Sequence, residues 1–539
     1  MMITESLPAT HPKWIHMRSR WKRCLFVAAL IGTVSGCTPL RDWVHKGFKV
    51  GPQYQAPPIE VEPAWLDEEL PQLSTNSVDE GAWWTLLQDP VLNDLTAQVR
   101  EGNWTLRELG ARILAARSQY DYTKGRLFPQ SQSINGTFSR HVFNFEDNGP
   151  IPLSVLGYQP WYNVGMANFA AAWEMDFWGK YRRAIESQAA ELEASVAAKD
   201  QGLVILQAEV ASAYIDYRVA QSQAGLSRRL AAFEGELVRL SRIKFEQGAT
   251  SEIDPRTSET AYQGTLAKLR GYELQIRLAM NRICVLTGRP PANITEALGQ
   301  NGLPELPPQM VVGIPQELLR RRPDLRQAER QVAAQSARIG VATSELLPAF
   351  SVNGNVGVYY TTLGNYARTG SLESSIGPSI RWNVLNYGRL LAKVHYEDAK
   401  LGEAVANLEN KALEAQREVE DGIIRYLKNG EIVGDLAKGA VSARRAMELG
   451  VLQYRENTTS YLWVYNLEQA LAQTLEQLIN ARGQQLRALV DTYKALGGGW
   501  NLEAGSIEPT LLLAPENELP KPKPARIEEL PLPSVRSDG

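Results

Sequence analysis

Two hydrophobic rhythms alternate along this chain, and each occurs twice. After Pro348 the period is two. Phe350, Val352, Val356, Val358 and Tyr360 fall on one side of an extended chain, and Ser351, Asn353, Asn355, Gly357, Tyr359 and Thr361 on the other. A return segment sets Ile376, Ile380 and Trp382 against Ser375, Ser379, Arg381 and Asn383. The pattern predicts a β-hairpin over about 349–383 and a counterpart over about 131–173, with strands at Ser133–Phe143 and Trp161–Trp173. Strands of about 10–12 residues suit a tilted membrane crossing. Aromatic residues gather at the strand ends (Phe143, Trp161, Trp173, Tyr359, Tyr360, Trp382), where interfacial girdles sit.

After each hairpin the period lengthens. Leu192, Val196, Lys199, Leu203, Leu206, Val210, Ala213 and Tyr217 are spaced alternately four and three apart, a heptad seam interrupted only by Lys199. Leu401, Val405, Leu408, Ala412, Ala415, Val419, Gly422 and Tyr426 repeat it. No proline lies between Tyr181 and Phe245, so one helix there would run roughly 100 Å at 1.5 Å per residue. Such a helix packs sideways in an array, and Ala189, Ala190, Ala194, Ala197 and Ala198 permit close approach. Long helical hairpins are expected over about 180–287 and 389–496, turning at Gln247–Pro255 and Glu456–Trp463. Shorter helices are expected around Leu92–Val99, over about Leu106–Lys124 and at Arg338–Glu345. The last two stop before Leu127-Phe-Pro129 and Leu346-Leu-Pro348, where proline biases its predecessor toward extended backbone.

The chain is a duplication. Trp173-Glu-Met-Asp-Phe-Trp-Gly179 is answered by Trp382-Asn-Val-Leu-Asn-Tyr-Gly388, and Phe245–Ser251 by Tyr454–Ser460, both 209 residues later. That period is too long for a solenoid unit and divides the chain into repeats at 81–300 and 301–500. Two repeats supply four membrane strands. An open sheet edge in hydrocarbon leaves backbone groups unpaired, and the smallest closed membrane barrels have about eight strands. Several copies must therefore share one barrel. Three would give twelve strands above twelve long helices; two would give eight.

Composition narrows the class. Of 539 residues, 22% are charged and 44% apolar, neither a disordered chain nor a bundle of membrane helices. Arg18, Arg20, Lys22 and Arg23 precede the apolar run Leu25–Ile31, which leads into Val34-Ser-Gly-Cys37. Residues 1–36 read as a secretion signal, with Met17 an alternative start and Cys37 a lipobox cysteine to be acylated. Removing them leaves 52 Lys/Arg against 59 Asp/Glu, an acidic balance that gives no support to nucleic-acid binding. Cys284 is then expected to be a small buried residue without a disulfide. Residues 37–80 form an N-terminal linker rich in proline, and 501–539 a Pro-rich, loosely attached tail. There is no P-loop, no dinucleotide turn and no histidine with ligand spacing. Scattered acidic residues read as solvated helix faces, and no metal, cofactor or catalytic residue is expected.

These motifs together resemble one family. Its carriers here are the lipobox, Val50-Gly-Pro-Gln-Tyr54, Ile314-Pro-Gln-Glu-Leu-Leu-Arg-Arg-Arg-Pro-Asp324, Ile339-Gly340, the Leu-Pro junction before the strand and Ala495-Leu-Gly-Gly-Gly-Trp500. From Cys37 to about Trp500 the chain resembles the outer membrane factors of bacterial tripartite efflux and secretion systems. These are TolC-like proteins, and the likeness is to their lipoprotein (NodT-type) branch serving resistance–nodulation–division pumps. The resemblance implies an α+β membrane protein: a long α-helical barrel in the periplasm plus a transmembrane β-barrel shared by a homotrimer, four strands from each protomer. It implies a passive exit duct in the outer membrane for small molecules. It also implies outer-membrane lipid around the barrel, a periplasmic adaptor and an inner-membrane pump as partners, and the lipid on Cys37 as the only attached group.

By the same resemblance the helical turns form a periplasmic tip that contacts the adaptor through Gly248, Ser251, Asp254, Asn457 and Ser460. Trp463 and Asn466 stand where the family usually carries constricting acidic residues, so an aromatic rather than anionic constriction is expected, with Trp463 packed between helices as the alternative. Competing readings are a lipid-anchored periplasmic adaptor, which would carry lipoyl-like domains, and a structural coiled coil without membrane strands.

Overall fold

The computed structural model describes residues 40–74, 80–142, 161–315, 321–360, 372–456 and 458–500. The signal sequence, Cys37, Phe143, Asn457 and the tail 501–539 lie outside them.

The helices are α1 (Pro90–Gly102), α2 (Trp104–Gly125), α3 (Lys180–Glu246), α4 (Ile253–Leu286), α5 (Pro323–Ser344), α6 (Arg389–Arg455) and α7 (Tyr461–Ala495). Short helical turns at Leu40–His45, Glu80–Leu87 and Thr295–Leu298 accompany them. Both long helices have 67 residues. Each begins after a glycine at positive φ, Gly179 at 80° and Gly388 at 81°, a backbone state that costs other residues a Cβ clash. The duplication thus fixes helix entry as well as helix length. The heptad seam is the buried face: Val210, Ala213 and Tyr217 on α3 and Leu408, Ala412, Ala415 and Val419 on α6 are all enclosed.

Helix neighbours define an array. α3 packs along α4 on one side and α7 on the other, and α7 packs along α6. The order α4-α3-α7-α6 leaves α4 and α6 on the flanks. Both flanks carry exposed apolar side chains, Leu274 and Leu278 on α4 and Leu413, Ile424 and Val441 on α6. At the middle of the array α1 and α2 pack on α3, and α5 bridges α3 and α6. The main core lies there, with Trp83 stacked on Tyr493 at 5.6 Å and surrounded by Leu92, Val99, Ile215 and Leu489. Cys284 is buried in this region as a free thiol.

The strands β1 (Ser131–Val142), β2 (Trp161–Met175), β3 (Ala349–Tyr360) and β4 (Leu372–Arg381) form one antiparallel sheet in the order β1-β2-β3-β4. Its register places Ser133, Asn135, Asn168, Asn353, Asn355 and Ser375 on one face. Ile134, Phe138, Phe169, Val352, Val356 and Ile376 share the other. β1 starts two residues earlier than the sequence pattern indicates, because Ser131 and Gln132 continue the ladder opposite Ala172 and Ala171 without any apolar signal. The outer edges of β1 and β4 have no partner strand among the described residues.

The N-terminal linker has no regular structure over 52–62, yet it is held against the helices rather than loose. Arg183 donates to Val50 O at 3.1 Å, Tyr54 donates to Glu329 at 2.9 Å, and Lys49 pairs with Glu186. Gly51 and Gly340 make this approach possible: a Cβ on Gly51 would stand 2.5 Å from Gly340 Cα.

Candidate tunnel tip

The two helical turns lie side by side at one end of the array. Lys244, near the end of α3, reaches across to the end of α6 and donates to Tyr454 O at 2.8 Å. Its ammonium sits 3.8 Å from the Tyr454 ring centroid, a cation–π contact in a partly desolvated setting. Burial lowers the Lys244 pKa, with the Asp254 charge opposing it. Tyr454 and Tyr461 face each other at 6.1 Å, and with Leu237, Met447 and Val464 they form a satellite apolar cluster. Burial first, then the Asp254 charge, pushes the Tyr454 phenol up to about 12, so it stays neutral.

The first turn follows the expected chemistry with a shift in register. Gly248 takes φ 71° and is exposed. The return helix begins at Ile253 with Glu252 at its N-cap, so Asp254 lies inside the first turn rather than ahead of it. There it accepts a hydrogen bond from the Thr250 hydroxyl and favours the helix N-terminus. Ser251 and Ser460 are exposed, one on each turn.

In the second turn α7 begins at Tyr461, which puts Trp463 in the helix rather than in the loop. Tyr461, Val464 and Glu468 are the buried face of α7. Trp463 and Asn466, one turn apart, point the other way, and Trp463 is 52% exposed. Within the protomer Trp463 is therefore not packed between helices. Gly248, Ser251, Asp254, Ser460, Trp463 and Asn466 are all brought to this one end of the molecule.

The sequence reading missed two acidic residues here. Glu234 on α3 and Glu468 on α7 are 2% and 1% exposed, so the expectation of solvated acidic faces fails at this pair. Neither stands out in sequence, because burial is set by which neighbouring helix covers them. Among the described residues no group of three or more His, Cys, Asp or Glu could hold a metal ion.

The profile of the family described as "Outer membrane efflux protein" matches residues 95–289 and 314–498, one segment in each repeat. "Nodulation protein T" of Rhizobium leguminosarum bv. viciae is 30% identical over 377 residues, 69% of this chain and 74% of that protein. The "Antibiotic efflux pump outer membrane protein ArpC" of Pseudomonas putida is 29% identical over 85% of this chain and 94% of its own. Among solved structures, the outer-membrane channel OprN superposes with a TM-score of 0.75 at 29% identity, covering 84% of this chain and 99% of that one. The Campylobacter jejuni CmeC outer membrane channel gives 0.76 at 19% identity over 86% of this chain and 97% of its own, a likeness of fold.

Proposed function

The chain belongs to the outer membrane efflux protein family, and from that premise we propose that three copies of it assemble into one exit duct of a tripartite system. It is an outer membrane efflux channel with a large periplasmic portion. In the proposed trimer, twelve strands close a barrel in the outer membrane and twelve long helices close a tunnel below it.

The observation that carries this reading is that sheet and helical array are open in the same way. Among the described residues the sheet has two unpartnered edges, β1 and β4. The array has two apolar flanks, α4 and α6. Joining β4 to β1 and α6 to α4 of successive copies satisfies backbone and apolar surface together, and a head-to-tail contact of this kind closes as a ring. The Asn- and Ser-lined face then turns to a wet lumen, and the face with Phe169, Val356 and Ile376 turns to lipid.

The partners in this proposal are a periplasmic adaptor, which docks on the tip around Gly248, Ser251, Asp254, Asn457 and Ser460, and an inner-membrane pump of the resistance–nodulation–division type. Cys37 carries the lipid anchor. The duct is passive and supplies no chemistry. Curated relatives are named for toluene, antibiotic and solvent efflux, which supports small organic molecules as cargo.

Native mass of the detergent-extracted protein from isolated outer membranes tests the assembly. A heat-labile species of three chains is expected; a monomer released without detergent would overturn the shared barrel. Trp463 and Asn466 form the constriction, with three tryptophans replacing an acidic ring. Trp463→Ala is accordingly expected to raise the closed-state conductance of the reconstituted channel several-fold. Unchanged conductance would remove Trp463 from the gate.

A further inference from the structure

The contact between the first helical hairpin (α3, α4) and the second (α6, α7) contains two carboxyl groups closed off from solvent. Glu234 comes from α3 and Glu468 from α7, and they lie within hydrogen-bonding reach of one another. Apart from the pair itself, the one donor to either among the described residues is the Thr265 hydroxyl of α4, at 3.0 Å from Glu234 Oε1. Glu234 Oε2 and both Glu468 oxygens are buried with no other partner among the described residues. Two bare carboxylates in contact at such depth carry a heavy desolvation and repulsion cost. If one carboxyl keeps its proton it donates to the other, and both problems are relieved.

The surrounding groups do not offer an alternative. From α4, Lys268 acts on Glu234 only through its charge, and its ammonium is half exposed and paired with Glu476 of α7 at 3.2 Å. From α7 and α6, the Tyr461 and Tyr454 hydroxyls are buried with no hydrogen-bond partner among the described residues, and burial raises both. Tyr465 of α7 stacks on Tyr461 at 6.4 Å. On the α6 side Glu468 borders a groove of about 530 Å³ that also presents Arg444, Arg445, Glu448 and Arg455. Arg445 is tied to Glu448 at 3.0 Å.

We propose that Glu234 and Glu468 share one proton and form a clasp that locks the first helical hairpin to the second, opening when the proton is lost. The closed form holds a proton across the α3–α7 contact. Loss of that proton leaves two charges where neither is solvated. Glu468 then turns into the groove toward the α6 guanidiniums, and α3 is released from α7 a few helical turns above the tip. Burial, reinforced by the Glu234 charge, pushes the Glu468 carboxyl up to about 8, against an ordinary value near 4.5 in the parted, hydrated state. A group raised on closing binds its proton more tightly in the closed form. Closure is therefore fully supported below the ordinary value, weakens across the interval, and its support is lost as pH rises through about 8. The groove admits the water that carries the proton away.

The clasp is a property of the chain and does not rest on the channel reading. The test uses the full-length protein as extracted from outer membranes. Hydrogen exchange of 228–240 and 462–472, corrected for the intrinsic pH dependence of exchange, is expected to rise about tenfold between pH 7 and pH 9. Glu468→Gln, which keeps a donor to Glu234 without a titrating proton, is expected to hold both segments closed at every pH. Infrared difference spectra between the two pH values are expected to show loss of a protonated-carboxyl band that the Glu234→Gln/Glu468→Gln pair lacks. A wild type with no such band, or a Glu468→Gln protein exchanging like wild type, would overturn the clasp. Should the assembly prove not to be a three-chain duct, the infrared band would still be seen, so the two failures are separable.

Discussion

Arginine in place of Val356 is expected to prevent assembly in the outer membrane. Arginine in place of Asn353, on the same strand and of the same charge and size, is expected to leave assembly intact. The two positions lie on opposite faces of β3, in pairs with Phe169 and Ala172 respectively. Val356 stands midway along the strand on the apolar face. An arginine near the bilayer midplane costs about 2–4 kcal/mol in a membrane barrel, and in the proposed trimer three copies in one barrel multiply the effect. Asn353 donates to Ser379 Oγ at 2.8 Å, a bond worth about 1 kcal/mol. In the proposed duct an arginine there faces the wet lumen, narrows the pore and draws its selectivity toward anions. Heat-modifiable mobility of the protein in isolated outer membranes reads assembly, and reversal potential in a salt gradient reads selectivity. Loss of assembly in Asn353→Arg with retention in Val356→Arg would mean that the two faces are assigned the wrong way round.

That experiment depends on a feature already visible in the sequence, and the reason is periodicity. Side chains of a strand alternate strictly, so Phe350–Tyr360 sorts into faces without knowledge of its neighbours. The heptad seam is legible for the same reason: a helix buries the stripe its own spacing dictates, and Val210, Val419 and Tyr217 are buried as that stripe requires. Gly179 and Gly388 mark helix entry because few other residues hold positive φ.

What stayed hidden depends on partners distant in sequence. Nothing around Glu468 indicates that α3 and α4 will cover it. Glu186, Glu193 and Glu476, similar in local context, remain partly open and pair with cations. The linker residues Val50 and Gly51 reach their place through Arg183 and Gly340, contacts that no local propensity encodes. Helix starts near the tip lie three residues earlier than the expected turns place them, so that Asp254 and Trp463 are helical. Caps and first turns are where local hydrogen bonds compete most evenly.

Arg322 joins a motif that was legible to a role that was not. In sequence, Arg322-Pro323-Asp324 reads as a helix start with a proline at its first position and an acid against the dipole. In the structure the Arg322 guanidinium holds three elements at once. Its Nε and Nη2 donate to the two Asp324 oxygens at 3.0 and 2.8 Å, a fork on the first turn of α5. Its Nη1 donates to Glu418 of α6 at 2.8 Å and to Ala495 O, at the end of α7, at 2.9 Å. The side chain is enclosed, and Gly497, at φ 77°, lies against its backbone. Arg322→Ala would therefore leave the part-buried Asp324 with only the Leu325 N–H and take the guanidinium donor from Glu418 and Ala495 O, at a cost of about 3–5 kcal/mol. Arg322→Lys keeps the charge but cannot span three acceptors with a planar fork, so only part of the loss should be recovered.

The pH dependence separates this loss from simple packing damage. Burial alone would raise the Asp324 carboxyl, but the Arg322 hydrogen bonds and charge outweigh it and hold the group below the usual carboxylate range. A carboxyl lowered on folding contributes stability above its unfolded pKa, and that contribution is lost as pH falls through the folded value. Without Arg322 burial is opposed only by the Leu325 N–H and the Lys411 charge, so the Asp324 carboxyl takes up a proton more readily and the penalty shrinks in acid. Urea midpoints of the detergent-solubilised proteins should accordingly differ most at about pH 7 and converge toward about pH 4. A gap that stays constant between the two would assign the damage to lost packing of the guanidinium and its stem rather than to the ion pair.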